Sequence, residues 1–254
     1  ELLERYRKKD PRLRWFVNPK TVSAFENHNL VLAEAKGEYT LIVPSDDELV
    51  PHAVETHLHH LTTTPDAEFS FCTQVWRDFS DRLLDESRGK VKAVRDDTGN
   101  VLYTEHIWED TYMKIYGHDL NVPQVVDTRE LGHEILRRNL LCILGDTGSS
   151  LVRTQFYRKM RGFKTTFYHD PFGLNAMGWT TVSEWQLRAL FLAERAVYIP
   201  EPLLLFKQEA PEGEPTITTK IESSVVQLHL KEKLCDIVLV NELFGDPVFH
   251  GNAP

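Results

Sequence analysis

Cysteine is scarce: three in 254 residues, Cys72, Cys142 and Cys235, far apart and odd in number. No CxxC pair occurs, which argues against a disulfide scaffold or a structural zinc site. Long apolar runs are also missing. None reaches the roughly 18 residues that span a bilayer, and no secretory leader is visible. A cytoplasmic location, extending to the inner face of a membrane, is the expectation, with a targeting segment ahead of Glu1 left open. Positive charge is in deficit as well. The 29 Lys and Arg against 38 Asp and Glu leave a formal charge of -9. A nucleic-acid partner needs a basic surface and is not expected. The locally basic start, "ERYRKKDPRLR", reads as a solvated helix face or as a docking patch for a membrane surface or an acidic ligand.

What is present is ordinary globular material, 41% hydrophobic and 26% charged. Helical periodicity marks "ELLERYRKK", "TVSAFENHNLVLAEA", "PHAVETHLHHLTTT", "RELGHEILRRNLL" and "VSEWQLRALFLAE". Strand patterns mark "RLRWFVN", "YTLIV" and "AEFSFCTQVW", and "KVKAVRDDTGNVLY" reads as a hairpin. "AVYIPEPLLLFK" reads as two short strands split by proline. Strands alternating with helices predict a layered α/β sheet. Residues 208–254 read as a linker followed by a carboxy-terminal helix and tail.

The most informative stretch is "YTLIVPSDDELV", a strand running into adjacent carboxylates, Asp46 and Asp47. In an open α/β sheet, ligands bind at the carboxyl ends of strands. Two like charges side by side need a cation or donors to relieve them. Hard oxygen ligands suit Mg or Mn, and such an ion would also hold a diphosphate. The other reading is a helix first turn capped by Ser45.

The surroundings give that stretch a context. "NHNLVLAEAKGEYTLIVPSDDELV" resembles the family 2 glycosyltransferases of the GT-A fold, through Asn29, Ala35, Gly37, Glu38, Tyr39, Asp46, Asp47 and Leu49. "RRNLLCILGDTGSSLVRTQFYRKMRGF" resembles the family's acceptor-side segment, with Ser149, Ser150 and Arg153 ahead of a helix ending at Gly162 and Phe163. "SEWQLRALFLAERAVYIPEPLLLFK" resembles its catalytic helix and the strand after it. The chain departs from the pattern at Pro44, where the family has its first Asp, at His28, and at Ser183–Glu184, where the family has Glu-Asp.

The resemblance implies a GT-A domain over residues 1–207 that lacks the family's first β-α-β elements. It implies a mostly parallel, Rossmann-like three-layer sheet with a small antiparallel acceptor-side subdomain. It also implies inverting, metal-dependent transfer of a sugar from a nucleotide-diphosphate donor to an acceptor hydroxyl on a glycan, lipid or protein. Asp46 and Asp47 would hold Mn or Mg. Asp46, Asn29, Ser45 and Arg153 would contact the donor. Glu184 at the start of its helix would be the base, with Asp170 in "FYHDPFG" as second candidate. Peripheral membrane association is a further partner expectation. The alternative is a GT-A-like binding or structural domain without catalysis.

Several residues keep two readings. Trp76, Trp108 and Trp179 line an acceptor groove or pack the core, and Arg153 meets a phosphate or covers the sheet edge. His52, His57, His59 and His60 form a zinc site or decorate an exposed helix. Cys72 and Cys142 sit among apolar neighbours and read as core.

Overall fold

The computed structural model describes residues 2–45, 47–78, 91–117, 120–138, 140, 142, 144–164 and 177–208. Asp46, Asp170, Cys235 and the expected terminal helix lie outside these residues, as does the side chain of Trp179.

Helix α1 (Leu2–Lys9) opens the chain. Helix α2 (Ala24–Ala33) starts where Ser23 and Glu26 form a reciprocal capping box, so two amide donors at the helix start are satisfied. Strands β1 (Tyr39–Leu41) and β2 (Glu48–Leu49) flank the acidic turn. Helix α3 (Ala53–Thr63) buries Ala53, His57 and Leu61, one residue per turn. Then come β3 (Ala67–Asp78), β4 (Val91–Arg95), β5 (Val101–Ile107), α4 (Thr111–Tyr116), β6 (Gln124–Asp127) and α5 (Thr128–Arg137). A 3-10 turn (Thr147–Ser149) leads into β7 (Ser150–Arg153) and α6 (Thr154–Met160). Helix α7 (Met177–Leu192) and strand β8 (Arg195–Gln208) complete the described chain.

The strands form one eight-stranded sheet. Two long strands, β3 and β8, run parallel through its middle. The first half of β3 pairs with β7, through Phe69 and Val152, and its second half with β5, through Trp76 and His106. β8 takes β6 along one half of its outer side and β2 along the other. β1 closes one corner on β7 and β4 another on β5. Six of the seven described pairings are antiparallel. The expected mostly parallel sheet is therefore corrected to a mixed, mainly antiparallel one. Strand–helix alternation shows that strands share a sheet but not which way each one runs.

Two further readings change. Residues 12–18 form no strand. β8 is continuous through Pro200 and Pro202, because register shifts between Cys72 and Gln74 of β3 absorb the missing amide donors. The 96–99 turn does close a hairpin, with the Asp96 side chain accepting from the backbone N–H of Thr98 and Asn100.

The sheet carries apolar clusters on both faces. One gathers Phe69, Phe71, Phe156, Trp185, Leu190 and Tyr198 beneath helices α5 to α7. The other gathers Leu61, Cys72, Leu151 and Ile199 beneath α3. Cys72 and Cys142 are buried, and burial pushes the Cys72 thiol up to about 12. These are inert core thiols.

Candidate functional site

Ser45 and Asp47 stand in a turn, not in a helix start. The Asp47 N–H donates to Pro44 O at 3.3 Å, β2 follows, and helix α3 begins only at Ala53. The turn stands at the carboxyl end of β1, as the strand pattern requires. Asp47 is half-buried, and its Oδ1 accepts from the Lys207 backbone N–H at 3.3 Å. Glu48 pairs with Arg77, which also pairs with Glu105. Ser45 is exposed within the turn.

Because β7 runs antiparallel to β1, the segment entering β7 lies opposite this turn. That segment, residues 145–149, is tightly built. Gly145 has φ +132°, and a side chain there would meet Ser149 Oγ at 2.2 Å. A side chain on Gly148 would lie 3.0 Å from Leu204 Cδ1 and 3.5 Å from Pro44 Cδ. Two buried glutamines fix the segment from behind. Gln186 donates to Gly145 O at 2.7 Å and accepts from Leu144 N–H at 2.9 Å. Gln74 accepts from Asp146 N–H at 3.0 Å. The acidic turn and the 145–149 turn thus pack side by side at one strand end, with Gln74 and Leu204 behind them.

An aromatic slab lies along β3 next to Gln74, whose backbone O accepts from Trp108 N–H at 3.1 Å. Trp76 stacks on Trp108 with ring centroids 5.4 Å apart and planes 7° apart, and on Phe206 at 4.9 Å. Trp76 is buried and Trp108 is half-buried. The slab brings together two of the three tryptophans that the sequence offered for an acceptor groove.

The remaining expected residues go elsewhere. Arg153 sits at the opposite end of β1, paired in register with Tyr39. It donates to Ala67 O, Leu61 O, Pro65 O and the Tyr39 hydroxyl, and lies 3.5 Å from Glu38. Its described partners are those of a corner brace, because a guanidinium offers five donors in one plane. Asn29 donates to Phe163 O and accepts from Phe163 N–H, both at 2.8 Å, which docks α2 on the turn after α6.

Glu184 lies inside α7, not at its start, and is 1% exposed. Arg188, one turn on, donates Nε–H to Oε1 at 2.7 Å and Nη2–H to Oε2 at 3.0 Å. The same guanidinium donates to Met160 O and, at 2.9 Å, to Gly162 O. A carboxylate held at both oxygens is an anchored ion, and this geometry weighs against a free base.

Of the histidines offered for a zinc site, His59 and His60 touch, with ring centroids 5.2 Å apart, while the other two face separate partners. His57 is buried with Nδ1 2.8 Å from Ser70 Oγ, and burial lowers its pKa to about 4. His52 pairs with Glu201 at 2.7 Å. Among the described residues, no group of three or more His, Cys, Asp or Glu could hold a metal ion.

Sequence reasoning missed Gln74, Gln186 and Asp110. The first two are neutral amides inside apolar patterns, where only tertiary geometry exposes their role. Asp110 caps α4, accepting from Met113 N–H at 2.8 Å, and burial raises its pKa to about 7. A capping signal followed by an aromatic helix was present in "EDTYMKIY".

No protein-family model matches the chain, and no curated protein matches it. Among solved structures, the crystal structure of S. aureus TarS 1-349 in complex with UDP-GlcNAc is similar at a TM-score of 0.47 and 12% identity. The alignment covers 96% of this chain and 60% of that one, so the chain spans less than two thirds of that structure. A likeness this slight transfers neither a function nor a site. No helix among the described residues is long and apolar enough to cross a membrane.

Proposed function

We propose that the chain belongs to a nucleotide-sugar-dependent glycosyltransferase, with transfer at the strand end that carries the acidic turn and residues 145–149. The supporting observation is the pairing of two turns. The acidic turn after β1 faces residues 145–149, and both come from segments that resemble the family in sequence. The reaction is displacement at the anomeric carbon with inversion: an acceptor hydroxyl attacks, the nucleoside diphosphate leaves, and a carboxylate takes the hydroxyl proton.

The cation in this reading would rest on Asp46 and Asp47. The described residues contribute only Asp47 and do not by themselves form a metal site. No step is therefore derived through a metal. When bound, a divalent ion would neutralise the leaving diphosphate. Ser45, exposed in the turn, would contact the donor. For the base, Glu184 would first have to part from Arg188, so Asp170 becomes the leading candidate and Glu184 the second.

The test is a panel of UDP-, GDP- and dTDP-sugars, titrated with and without Mn. Manganese-dependent binding with slow donor hydrolysis supports the reading. Asp170→Asn should then abolish transfer while preserving donor binding, whereas full transfer by that variant removes Asp170 from the role. Silence across the panel favours a GT-A-like binding or structural domain. The buried Glu184–Arg188 pair is the observation on that side.

A further inference from the structure

Helix α1 carries its side chains outward. Every residue from Leu3 to Lys9 is exposed, Leu3 by 48% and Tyr6 by 50%. A helix of eight residues is marginal in water, and helices draw most of their stability from packing an apolar face. The same surface continues past the helix. Phe16 and Val17 are exposed, and Arg7 lies over the Trp15 ring at 5.3 Å, which ties α1 to this segment. Asn18 donates to Asn27 Oδ1 at 2.9 Å, and one turn further along α2 stand the exposed Leu30 and Val31.

Cations are set among these apolar side chains. Residues 2–20 hold seven Lys and Arg against two acids, in a chain whose formal charge is -9. Arg5 and Lys9 lie over the Tyr6 ring at 5.8 and 5.6 Å, and Arg14 lies over the Phe16 ring at 5.9 Å. Of the two acids, Asp10 is paired with Arg12.

This mixture selects the partner. A second copy would set seven cations against seven across a two-fold contact, which like charges oppose. Nucleic acid would take the cations but leave Leu3, Val17, Leu30 and Val31 in water. An anionic bilayer takes both. Its headgroups meet the cations, and the aliphatic and aromatic side chains enter the headgroup boundary.

We propose that α1, residues 12–17 and the exposed side of α2 dock the protein on an anionic lipid surface. The inference stands apart from the proposed transfer reaction.

The experiment is co-sedimentation of the intact chain with two kinds of vesicle. One holds equal parts phosphatidylglycerol and phosphatidylcholine, the other phosphatidylcholine alone. The chain should bind the first at least tenfold more tightly, roughly the effect of two or more cations at the surface. Raising salt from about 0.05 M to about 0.5 M should release it, because screening shortens the reach of the cations. Lys8→Glu with Lys9→Glu should weaken binding by about tenfold or more. Phe16→Ser with Val17→Ser should weaken it by about tenfold while keeping its salt dependence. All four residues are exposed, so the variants should melt as wild type does.

No binding to either vesicle overturns the inference, and so does equal binding to both. Binding that survives the Lys8 and Lys9 changes takes it away from this surface. If a short RNA binds wild type and the Phe16–Val17 variant alike and displaces the vesicles, the surface is a general polyanion site and the lipid inference falls. If light scattering shows a dimer that the Phe16–Val17 variant loses, a second copy covers the face and the inference falls too. No vesicle result bears on nucleotide-sugar binding, so failure here leaves the donor reading where it stood.

Discussion

Asn29 and Phe163 are joined by a pair of reciprocal hydrogen bonds, each 2.8 Å, across 134 residues of sequence. The side-chain amide of Asn29 reads the backbone of Phe163 as a neighbouring strand would. The approach is close enough that a side chain on Gly162 would lie 2.3 Å from Asn29 Oδ1. Gly162 also has φ +67°, which disfavours a side chain by itself.

Asn29→Ala should therefore cost roughly 2–3 kcal/mol, two bonds lost and two backbone groups stranded. Gly162→Ala should cost a similar amount through strain and the clash. The two share one contact, so the double variant should fall short of the sum. Urea denaturation of the four proteins measures this, and strict additivity would contradict the clamp.

The Glu184–Arg188 pair is buried, with side-chain exposures of 1% and 4%. Removing one partner, as in Arg188→Met, should cost roughly 3–5 kcal/mol because a charge is left alone. Adding Glu184→Leu should restore only part of that. The carbonyls of Met160 and Gly162 also depend on the guanidinium and stay deprived. Complete recovery in the double variant would show that those two bonds contribute nothing.

Burial holds the Asp110 carboxyl at about 7, against an ordinary 3.8. Its folded value is raised, so its contribution to stability is fully present below about 4 and is lost as pH rises through about 7. The whole span is worth up to about 4 kcal/mol. Asp110→Asn keeps a capping side chain and removes the charge. Relative to wild type, its melting temperature should climb between about pH 5 and about pH 8. A flat difference would mean that Asp110 ionises as freely folded as unfolded.

His57 titrates with the opposite consequence. Burial, with the nearby His60 second, lowers it from 6.5 to about 4. Its contribution is present above the unfolded value and is lost as pH falls through about 4. His57→Gln should lose less stability than wild type on moving from about pH 7 to about pH 4. Parallel pH curves for the two proteins would count against this account of His57.

Arg153 braces the corner between β1 and the α3–β3 connection, so Arg153→Lys should not replace it. One ammonium cannot reach Ala67 O, Pro65 O and the Tyr39 hydroxyl together. A loss of roughly 1–2 kcal/mol in thermal melting is expected. Any nucleotide-sugar affinity should be unchanged in the folded variant, because the residue stands at the far end of β1 from the acidic turn.

Elements with strong local signals were legible in the sequence. Helical pattern in "TVSAFENHNLVLAEA" marked α2, and the structure shows that a Ser23–Glu26 capping box starts it. Helical pattern in "PHAVETHLHHLTTT" marked α3, and Gly99-Asn100 within "KVKAVRDDTGNVLY" marked the hairpin turn. The position of the acidic pair after an apolar strand was equally plain. Its local conformation was not, because Ser-Asp-Asp-Glu suits a helix start and a turn alike. The turn forms here because Glu48 and Leu49 find β8 to pair with.

The candidate site was half legible for the same reason. Charged residues announce themselves, so Asp47, Glu184, Arg153 and the acidic run drew attention. Two of them, Glu184 and Arg153, are held by partners distant in the chain or by a neighbour one turn away. Gln74 drew none, because a glutamine among Cys, Thr and Val looks like an ordinary strand position until Asp146 is brought against it.

The sequence by itself determined the strongly periodic helices and strands β1 and β3, since periodicity acts over a few residues, and it placed an acidic pair after a strand. It also predicted a strand over 12–18 that does not form. The tertiary structure decided strand direction, making six of seven described pairings antiparallel, and chose the partners of the buried polar residues. The physical reason is range. Backbone preferences are local, whereas the partner of a buried charge or amide is chosen by what the folded chain brings within about 3 Å of it.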